Sequence, residues 1–269
     1  MKILFLGDVV GRPGRRAMTA RLAELKAELR ADFCVANGEN AAAGSGLTPK
    51  CVEEIFAAGV DCITTGDHVY RRKEILDYLA TSDRVLRPAN YPREAPGRGV
   101  TLLETAAGIK VGVLNLQGRV FVHHPADCPF HAADAMLERL AGETRIIVVD
   151  MHAEATSEKR AMGYHLDGRV TAVVGTHTHV QTADAEVLEG GTAYITDLGM
   201  TGPYRSILGR EIEPVLKAVI TSVPAHFDVA TEDVRLSGAL VTADETTGRA
   251  TEIERVHVGV ALEDSAGGD

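Results

Sequence analysis

Apolar and polar positions follow a regular order over the first 80 residues of the chain. Three short, almost wholly apolar runs predict buried strands at residues 2–7, 33–36 and 61–64. Stretches with apolar residues at helical spacing follow them and predict helices that begin at Pro13, at Pro49 after the capping residue Thr48, and at about Arg71. A strand–helix order repeated in this way is typical of a parallel sheet.

The pattern changes beyond residue 99, where strands outnumber helices. Hairpins are predicted around Ala106–Gly108 and around Gly190-Gly191, and further strands at 145–149, 170–174, 232–241 and 252–260. Helical spacing returns near residues 133–140, after Thr156, and at 211–220. Parallel units followed by hairpins predict an α/β fold, a four-layer α/β/β/α sandwich of two mixed sheets flanked by helices. We expect one domain over residues 1–262 and a disordered tail at 263–269.

Six of the apolar runs end at residues that can hold a metal ion. These are Asp8, the pair Glu39-Asn40, the pair Asp67-His68, Asn115, the residues Asp150 and His152, and the pair His177 and His179 in Gly-Thr-His-Thr-His. Ligands of α/β proteins lie outside the carboxyl ends of the strands. The pattern therefore predicts a single site assembled from many loops.

Each of these motifs also has a plain structural interpretation. Asp8 alone could cap a helix, Glu39-Asn40 could form a polar turn, and the histidines could be structural. The segment around Asp8 is neither a Walker loop nor a dinucleotide fingerprint. Taken together, however, the carboxylates, the amide and the histidines are too many for one metal. They suit two ions about 4 Å apart, and oxygen with imidazole donors favours Mn, Fe or Zn over Ca.

Composition and charge narrow the classes of partner. The chain has 269 residues and a formal net charge of −10, which argues against an extended nucleic-acid surface. A small phosphorylated substrate is still compatible with this negative charge, because bound cations invert the local electrostatic field. The four cysteines lack metal-type spacing, and we find neither a signal peptide nor an apolar run of about 20 residues. These features predict a cytoplasmic protein without a membrane partner, and a homo-oligomer is compatible with them.

The order of the motifs resembles that of the calcineurin-like binuclear metallophosphoesterases, and within them the YmdB-like family. The specific matches are Gly7–Gly11, Asn37–Asn40, Gly66–His68, His152–Lys159 and Gly175–Asp184. The resemblance runs from Met1 to about Val260. It departs from the wider superfamily twice: Val10 replaces the usual histidine, so that Asn40 must stand in, and Asp67 replaces the usual asparagine.

The resemblance implies a role for each matched residue. It assigns the first ion to Asp8, Glu39, Asn40 and His179, with Glu39 bridging, and completes the second site with Asp67, His152 and His177. It implies that a metal-bridging hydroxide attacks phosphorus while His68, as general acid, protonates the leaving oxygen. The implied enzyme is a binuclear phosphodiesterase of small phosphodiesters, namely 2′,3′-cyclic nucleotides, with iron or manganese ahead of zinc.

Two other functions stay open on the sequence. The same ions could hydrolyse another bond, such as a phosphomonoester or an amide, or the protein could be a non-catalytic, metal-binding regulator. The presence of His68 favours catalysis. The segments Ala41–Gly46 and Thr201–Ser206 could shape the pocket, with Tyr204 or Arg205 against phosphate or base, or could be ordinary surface loops.

Overall fold

The computed structural model describes residues 1–122 and 126–262, so the predicted tail at 263–269 lies outside the described residues. The strands are β1 (Lys2–Leu6), β2 (Asp8–Val9), β3 (Phe33–Asn37), β4 (Cys62–Thr64), β5 (Val100–Glu104), β6 (Lys110–Gln117), β7 (Ile146–His152), β8 (Ala172–Thr176), β9 (Glu186–Val187), β10 (Ala193–Ile195), β11 (Met200–Pro203), β12 (Val234–Ala243) and β13 (Ala250–Gly259). The helices are α1 (Gly11–Leu29), α2 (Pro49–Ala57), α3 (Leu76–Thr81), α4 (Pro129–Leu140), α5 (Thr156–His165) and α6 (Ile212–Thr221).

The strands form two mixed sheets. The first has seven strands in the order β2-β11-β12-β1-β3-β4, with β13 beside β12. In it, β1, β3 and β4 are parallel, and β12 joins them antiparallel to β1. The second has the order β5-β6-β7-β8-β10-β9, parallel at its centre and antiparallel at both edges. Parallel strands end at a common edge, which places their following loops side by side.

Side chains of β1 show how the layers pack. Leu4 and Leu6 point to one face and join a core with Met18 of α1, whereas Ile3 and Phe5 point to the other face. This alternation follows from the period of two in a strand. Ile3 and Phe5 share a core with side chains of the second sheet, and a third core lies between that sheet and the helices α4 and α5. Three cores between layers make the four-layer α/β/β/α sandwich that the sequence predicts.

Some elements differ from the expectation. The helix predicted at residues 71–80 consists of a 3₁₀ turn at Lys73–Ile75 followed by the short α3. Part of the predicted loop Thr201–Ser206 belongs to β11, which pairs with both β2 and β12. Gly202 and Pro203 disguise this strand in the sequence, since both residues are rare inside strands. The apolar stripe of α6 has no buried residue.

Two smaller expectations concern cysteines and membrane helices. All four cysteines are free. Cys34, Cys51 and Cys62 are buried, and Cys128 is partly buried. Within residues 1–122 and 126–262, none of the helices combines the length and the apolar character needed to cross a bilayer.

Candidate metal centre

Asp8 begins β2, two residues after the end of β1 at the common edge of the strands, and is fully buried. Its Oδ2 accepts a hydrogen bond of 3.0 Å from the backbone N–H of His177. Its Oδ1 has no hydrogen-bond partner within the described part of the chain and lies 3.8 Å from Nε2 of His179. Burial raises the pKa of Asp8 to about 6, despite the nearby imidazoles. A buried oxygen without a donor is costly, and a bound cation would compensate it.

Glu39 and Asn40 follow β3 and lie at the centre of the site. The Glu39 carboxylate accepts from the backbone N–H of His68 at 3.2 Å and from Nδ2 of Asn40 at 3.1 Å. Its Oε2 also lies 3.3 Å from Nε2 of His152. Burial would raise the pKa of Glu39, but the imidazoles of His152 and His68 hold it well below its usual value. Glu39 is therefore an anion that faces both sides of the site.

Asn40 connects Glu39 to two histidines. Its Nδ2 lies 3.1 Å from Nε2 of His179, and its Oδ1 lies 2.8 Å from Nδ1 of His68. The structure thus brings together the four residues expected at the first ion, called here the first ligand group: Asp8, Glu39, Asn40 and His179. Nδ1 of His179 lies 3.0 Å from the carbonyl oxygen of Leu208, which leaves Nε2 as the ring nitrogen that faces the group.

A second group forms on the other side of Glu39. One nitrogen or oxygen atom each from Glu39, Asp67, His152 and His177 lies within 4.8 Å of the others, an arrangement able to hold a metal ion. Nε2 of His152 is 3.3 Å from Oδ1 of Asp67 and 3.1 Å from Nδ1 of His177. Burial, together with the neighbouring His152, lowers the pKa of His177 to about 4, so this ring is neutral and able to bind a metal.

His68 contacts both groups without joining the four-residue cluster. Its Nδ1 faces Asn40 and lies 3.4 Å from Oε1 of Glu39, while its Nε2 is 3.7 Å from Oδ2 of Asp67. Its side chain stays partly exposed. Burial lowers the pKa of His68, yet the adjacent carboxylate of Glu39 outweighs this and raises it above its usual value.

Gly66 allows the close approach of the two halves of the site. A Cβ at this position would lie 2.0 Å from Cδ2 of His152 and 2.4 Å from Oε2 of Glu39. These distances are far below van der Waals contact, so any side chain would displace one of the two residues. The glycine before Asp67 is thus a packing requirement of the site.

Asp150 supports the site from behind, and the sequence named it only as a residue at a strand end. It is buried in β7 and accepts hydrogen bonds from Oγ1 of Thr64 at 2.5 Å and from Oγ1 of Thr176 at 2.6 Å. Thr176 also lies 2.9 Å from Nδ1 of His152, so that Nε2 of His152 points to the cluster. Such partners orient a metal-binding histidine.

Asn115 lies outside the two groups. Its Oδ1 accepts a hydrogen bond of 2.9 Å from the backbone N–H of Thr65, and its side chain is fully buried. It therefore holds the loop that precedes Gly66 and Asp67.

The sequence missed the buried ion pair that holds the loop from His177 to His179. Oδ2 of Asp197 lies 2.7 Å from Nζ of Lys159, and it accepts two further bonds, from N and Oγ1 of Thr178. Both histidines adopt positive φ angles, 100° for His177 and 65° for His179, which are unusual for residues with a side chain. Asp197 comes shortly after β10, so the rule that found the other strand-end residues also applied to it.

The side chains of Tyr204 and Arg205, the two residues considered for the pocket, have different surroundings. Arg205 is an exposed residue that pairs with Glu232 at 2.7 Å. Tyr204 instead lines a cavity together with His179.

The two-sheet sandwich, with carboxylates and imidazoles at one edge, defines an enzyme of the metal-dependent hydrolase class. The sequence model of YmdB-like proteins matches residues 4–256, and the chain belongs to this family. It is 48% identical over 256 residues to the 2′,3′-cyclic-nucleotide 2′-phosphodiesterase of Bacillus subtilis (strain 168), covering 95% of this chain and 96% of that protein.

Two solved structures share the fold. The crystal structure of a hypothetical protein from Thermus thermophilus superposes with a TM-score of 0.89 at 41% identity, covering 96% of this chain and 99% of that one. The crystal structure of a novel phosphatase from Mycoplasma pneumoniae has a TM-score of 0.90 at 33% identity, covering 96% and 93%. The family predicted from the motifs is therefore confirmed.

Proposed function

We propose that this protein is a metal-dependent phosphodiesterase that hydrolyses small phosphodiesters, with 2′,3′-cyclic nucleotides as its substrate class. The observation that carries the proposal is the position of Glu39, whose carboxylate contacts residues of both ligand groups. The activity of the Bacillus subtilis relative supports the choice of substrate.

The residues fit two metal ions. Asp8, Glu39, Asn40 and His179 would hold one, and Glu39, Asp67, His152 and His177 the other. Two observations support this assignment: Oδ1 of Asp8 has no hydrogen-bond partner among the residues that the structure describes, and a compact cluster surrounds His152. Bound ions would polarise the phosphoryl group and lower the pKa of the attacking water. The donor set suits iron or manganese, with zinc as a further candidate.

The protein itself supplies orientation and a proton. Hydrolysis adds water across one P–O bond, and the leaving oxygen must gain a proton. We assign this proton transfer to His68. The contact of its Nδ1 with Asn40 supports the assignment, as does the partial exposure of the ring, which lets Nε2 reach a substrate. His68 is thus the catalytic residue of this proposal.

Asp67 distinguishes this site from one with the usual asparagine. Burial would raise the pKa of Asp67, but the hydrogen bond with His152 and the histidine charges lower it, so the group is an anion. An additional negative charge would bind the second cation more tightly and reduce its strength as a Lewis acid.

The cytoplasmic location and the homo-oligomer stay predictions.

The test is hydrolysis of 2′,3′-cyclic AMP by metal-stripped protein, with and without added Mn²⁺. We expect turnover only with metal and its loss in Asp8→Ala, whose metal content is measured in parallel. Activity on phosphomonoesters or amides, but not on cyclic nucleotides at any metal concentration, would favour a hydrolase of another bond. Metal binding without turnover of any of these substrates would favour the regulatory function.

A further inference from the structure

A cavity lies directly beside the first ligand group. Its volume is about 640 Å³, within the range of about 300–1,000 Å³ that is usual for small-molecule sites. His179 forms part of its wall, and Nε2 of this histidine is 3.1 Å from Asn40. The cavity therefore adjoins the candidate metal centre at His179.

One wall of the cavity carries a fixed aromatic ring. His257 packs edge-to-face against Tyr204, with ring centroids 4.8 Å apart and an interplanar angle of 84°. Nε2 of His257 lies 2.9 Å from Nη1 of Arg235, and Nδ1 lies 3.3 Å from Oγ of Ser237. The ring is thus held by both nitrogens while its surface stays exposed. An imidazole in this state is a stacking platform for a planar heterocycle.

Two of the lining residues are large and apolar. Val180 and Leu208 also line the cavity, and their exposed fractions are 56% and 51%, which is high for large apolar side chains. Arg255 adds a positive charge to the wall, and it forms no ion pair within residues 1–122 and 126–262. Apolar side chains, an aromatic ring and a guanidinium match the faces of a nucleobase and the negative charge of a nucleotide.

Asn40 links this cavity to the proposed proton donor. Its two amide atoms contact His68 on one side and His179 on the other. A cyclic nucleotide whose leaving oxygen lies at His68 would therefore have its sugar close to His179 and its base within reach of the cavity. We infer that this cavity binds the nucleobase, with His257 as the stacking residue. The inference rests on the proposed function and names the part of the substrate that the metal centre leaves unbound.

The experiment compares two substrates that differ only in the base: 2′,3′-cyclic AMP and methyl β-D-ribofuranoside 2′,3′-cyclic phosphate. His257→Ala removes the stacking ring, and Val180→Trp fills the cavity from its exposed rim. His226→Ala is the matched control, because this exposed histidine pairs with Asp228 and does not line the cavity. Circular dichroism checks that each variant is folded.

We expect the ratio of kcat/KM for the nucleotide over that for the base-free ester to fall at least about fivefold in both cavity variants, the lower limit for loss of base stacking. The control keeps the wild-type ratio. An unchanged ratio in His257→Ala and Val180→Trp would overturn the inference while leaving the phosphodiesterase intact.

A second measurement separates the two proposals. If the wild-type protein hydrolyses neither ester, the proposed function is wrong, and calorimetric binding of adenosine 3′-monophosphate decides the inference. Affinity at least about fivefold weaker in both cavity variants than in wild type would support the base site. No binding, or equal binding by all variants, would overturn it.

Discussion

Replacing Lys159 with methionine removes one half of the buried ion pair behind the loop from His177 to His179. Lys159 is 1% exposed and Asp197 is fully buried, so the substitution leaves an uncompensated charge in the interior. Breaking such a pair costs about 3–5 kcal/mol. Thr178 and Gly199 still donate to Asp197, so we expect the lower end of this range. The free energy of unfolding should fall by about 3 kcal/mol, which corresponds to a fall in Tm of about 6–12 °C.

The same substitution should weaken metal binding. The positive φ angles of His177 and His179 cost energy, on the order of 1–3 kcal/mol each, and persist because the surrounding bonds impose them. A weaker Asp197 anchor lets the loop relax, and we expect Mn²⁺ affinity to fall at least about tenfold, or about 1.4 kcal/mol. Urea unfolding in chelator measures the stability, and titration calorimetry measures the affinity.

Two further variants make this prediction specific. Lys110→Met breaks an exposed pair with Glu143 and should cost no more than about 1 kcal/mol. The double variant Lys159→Met/Asp197→Asn removes both charges and should regain more than half of the lost stability. A loss no greater in Lys159→Met than in Lys110→Met would refute the reasoning about the pair. Unchanged Mn²⁺ affinity despite lower stability would refute its role in positioning the loop.

Three more predictions concern the site itself. Burial raises the pKa of Asp8 from 3.8 to about 6, so in metal-free protein its stabilising contribution is present below about pH 4 and is lost as pH rises through about 6. Asp8→Asn should therefore stabilise the metal-free protein relative to wild type at pH 7, by about 3 kcal/mol in urea unfolding. The same variant should no longer be stabilised by Mn²⁺. A wild-type protein whose free energy of unfolding is the same at pH 5 and at pH 7, as in the variant, would contradict this. His68→Ala should lower kcat about 10²- to 10⁴-fold at unchanged metal content, with a smaller loss on a p-nitrophenyl ester, whose leaving group needs no proton; equal losses would exclude a general acid. Gly66→Ala should destabilise the protein by about 1–3 kcal/mol and weaken Mn²⁺ binding, because its Cβ collides with His152 and Glu39; binding as in wild type, measured by calorimetry, would show that the site adapts.

Much of the site was predictable because it follows a local rule. Asp8, Glu39 and Asp67 each come after a short apolar run, and parallel strands bring their ends to one edge. Residue type and order were therefore enough to expect these side chains in one place. The family motifs added which of them to assign to each ion, and that assignment stays a prediction.

The supporting residues were harder to predict because each is a single polar residue in an ordinary element. Lys159 lies in α5, where a lysine usually points to water, and only the packing of that helix against β8 buries it against Asp197. His257 lies in the last strand, and its place beside His179 depends on the pairing of β13 with β12. Sequence spacing carries no information about such long-range contacts.

The sequence by itself determined the alternation of strands and helices, the four-layer class and the identity of the residues at the strand ends, because periodicity and composition are local properties. Only the tertiary structure decided that Nε2 of His152 lies 3.1 Å from His177 and that Glu39 faces both ligand groups. It also decided that a cavity adjoins His179 and that the apolar stripe of α6 stays exposed. These features depend on how separate segments pack, and a pattern along one segment does not specify its neighbours.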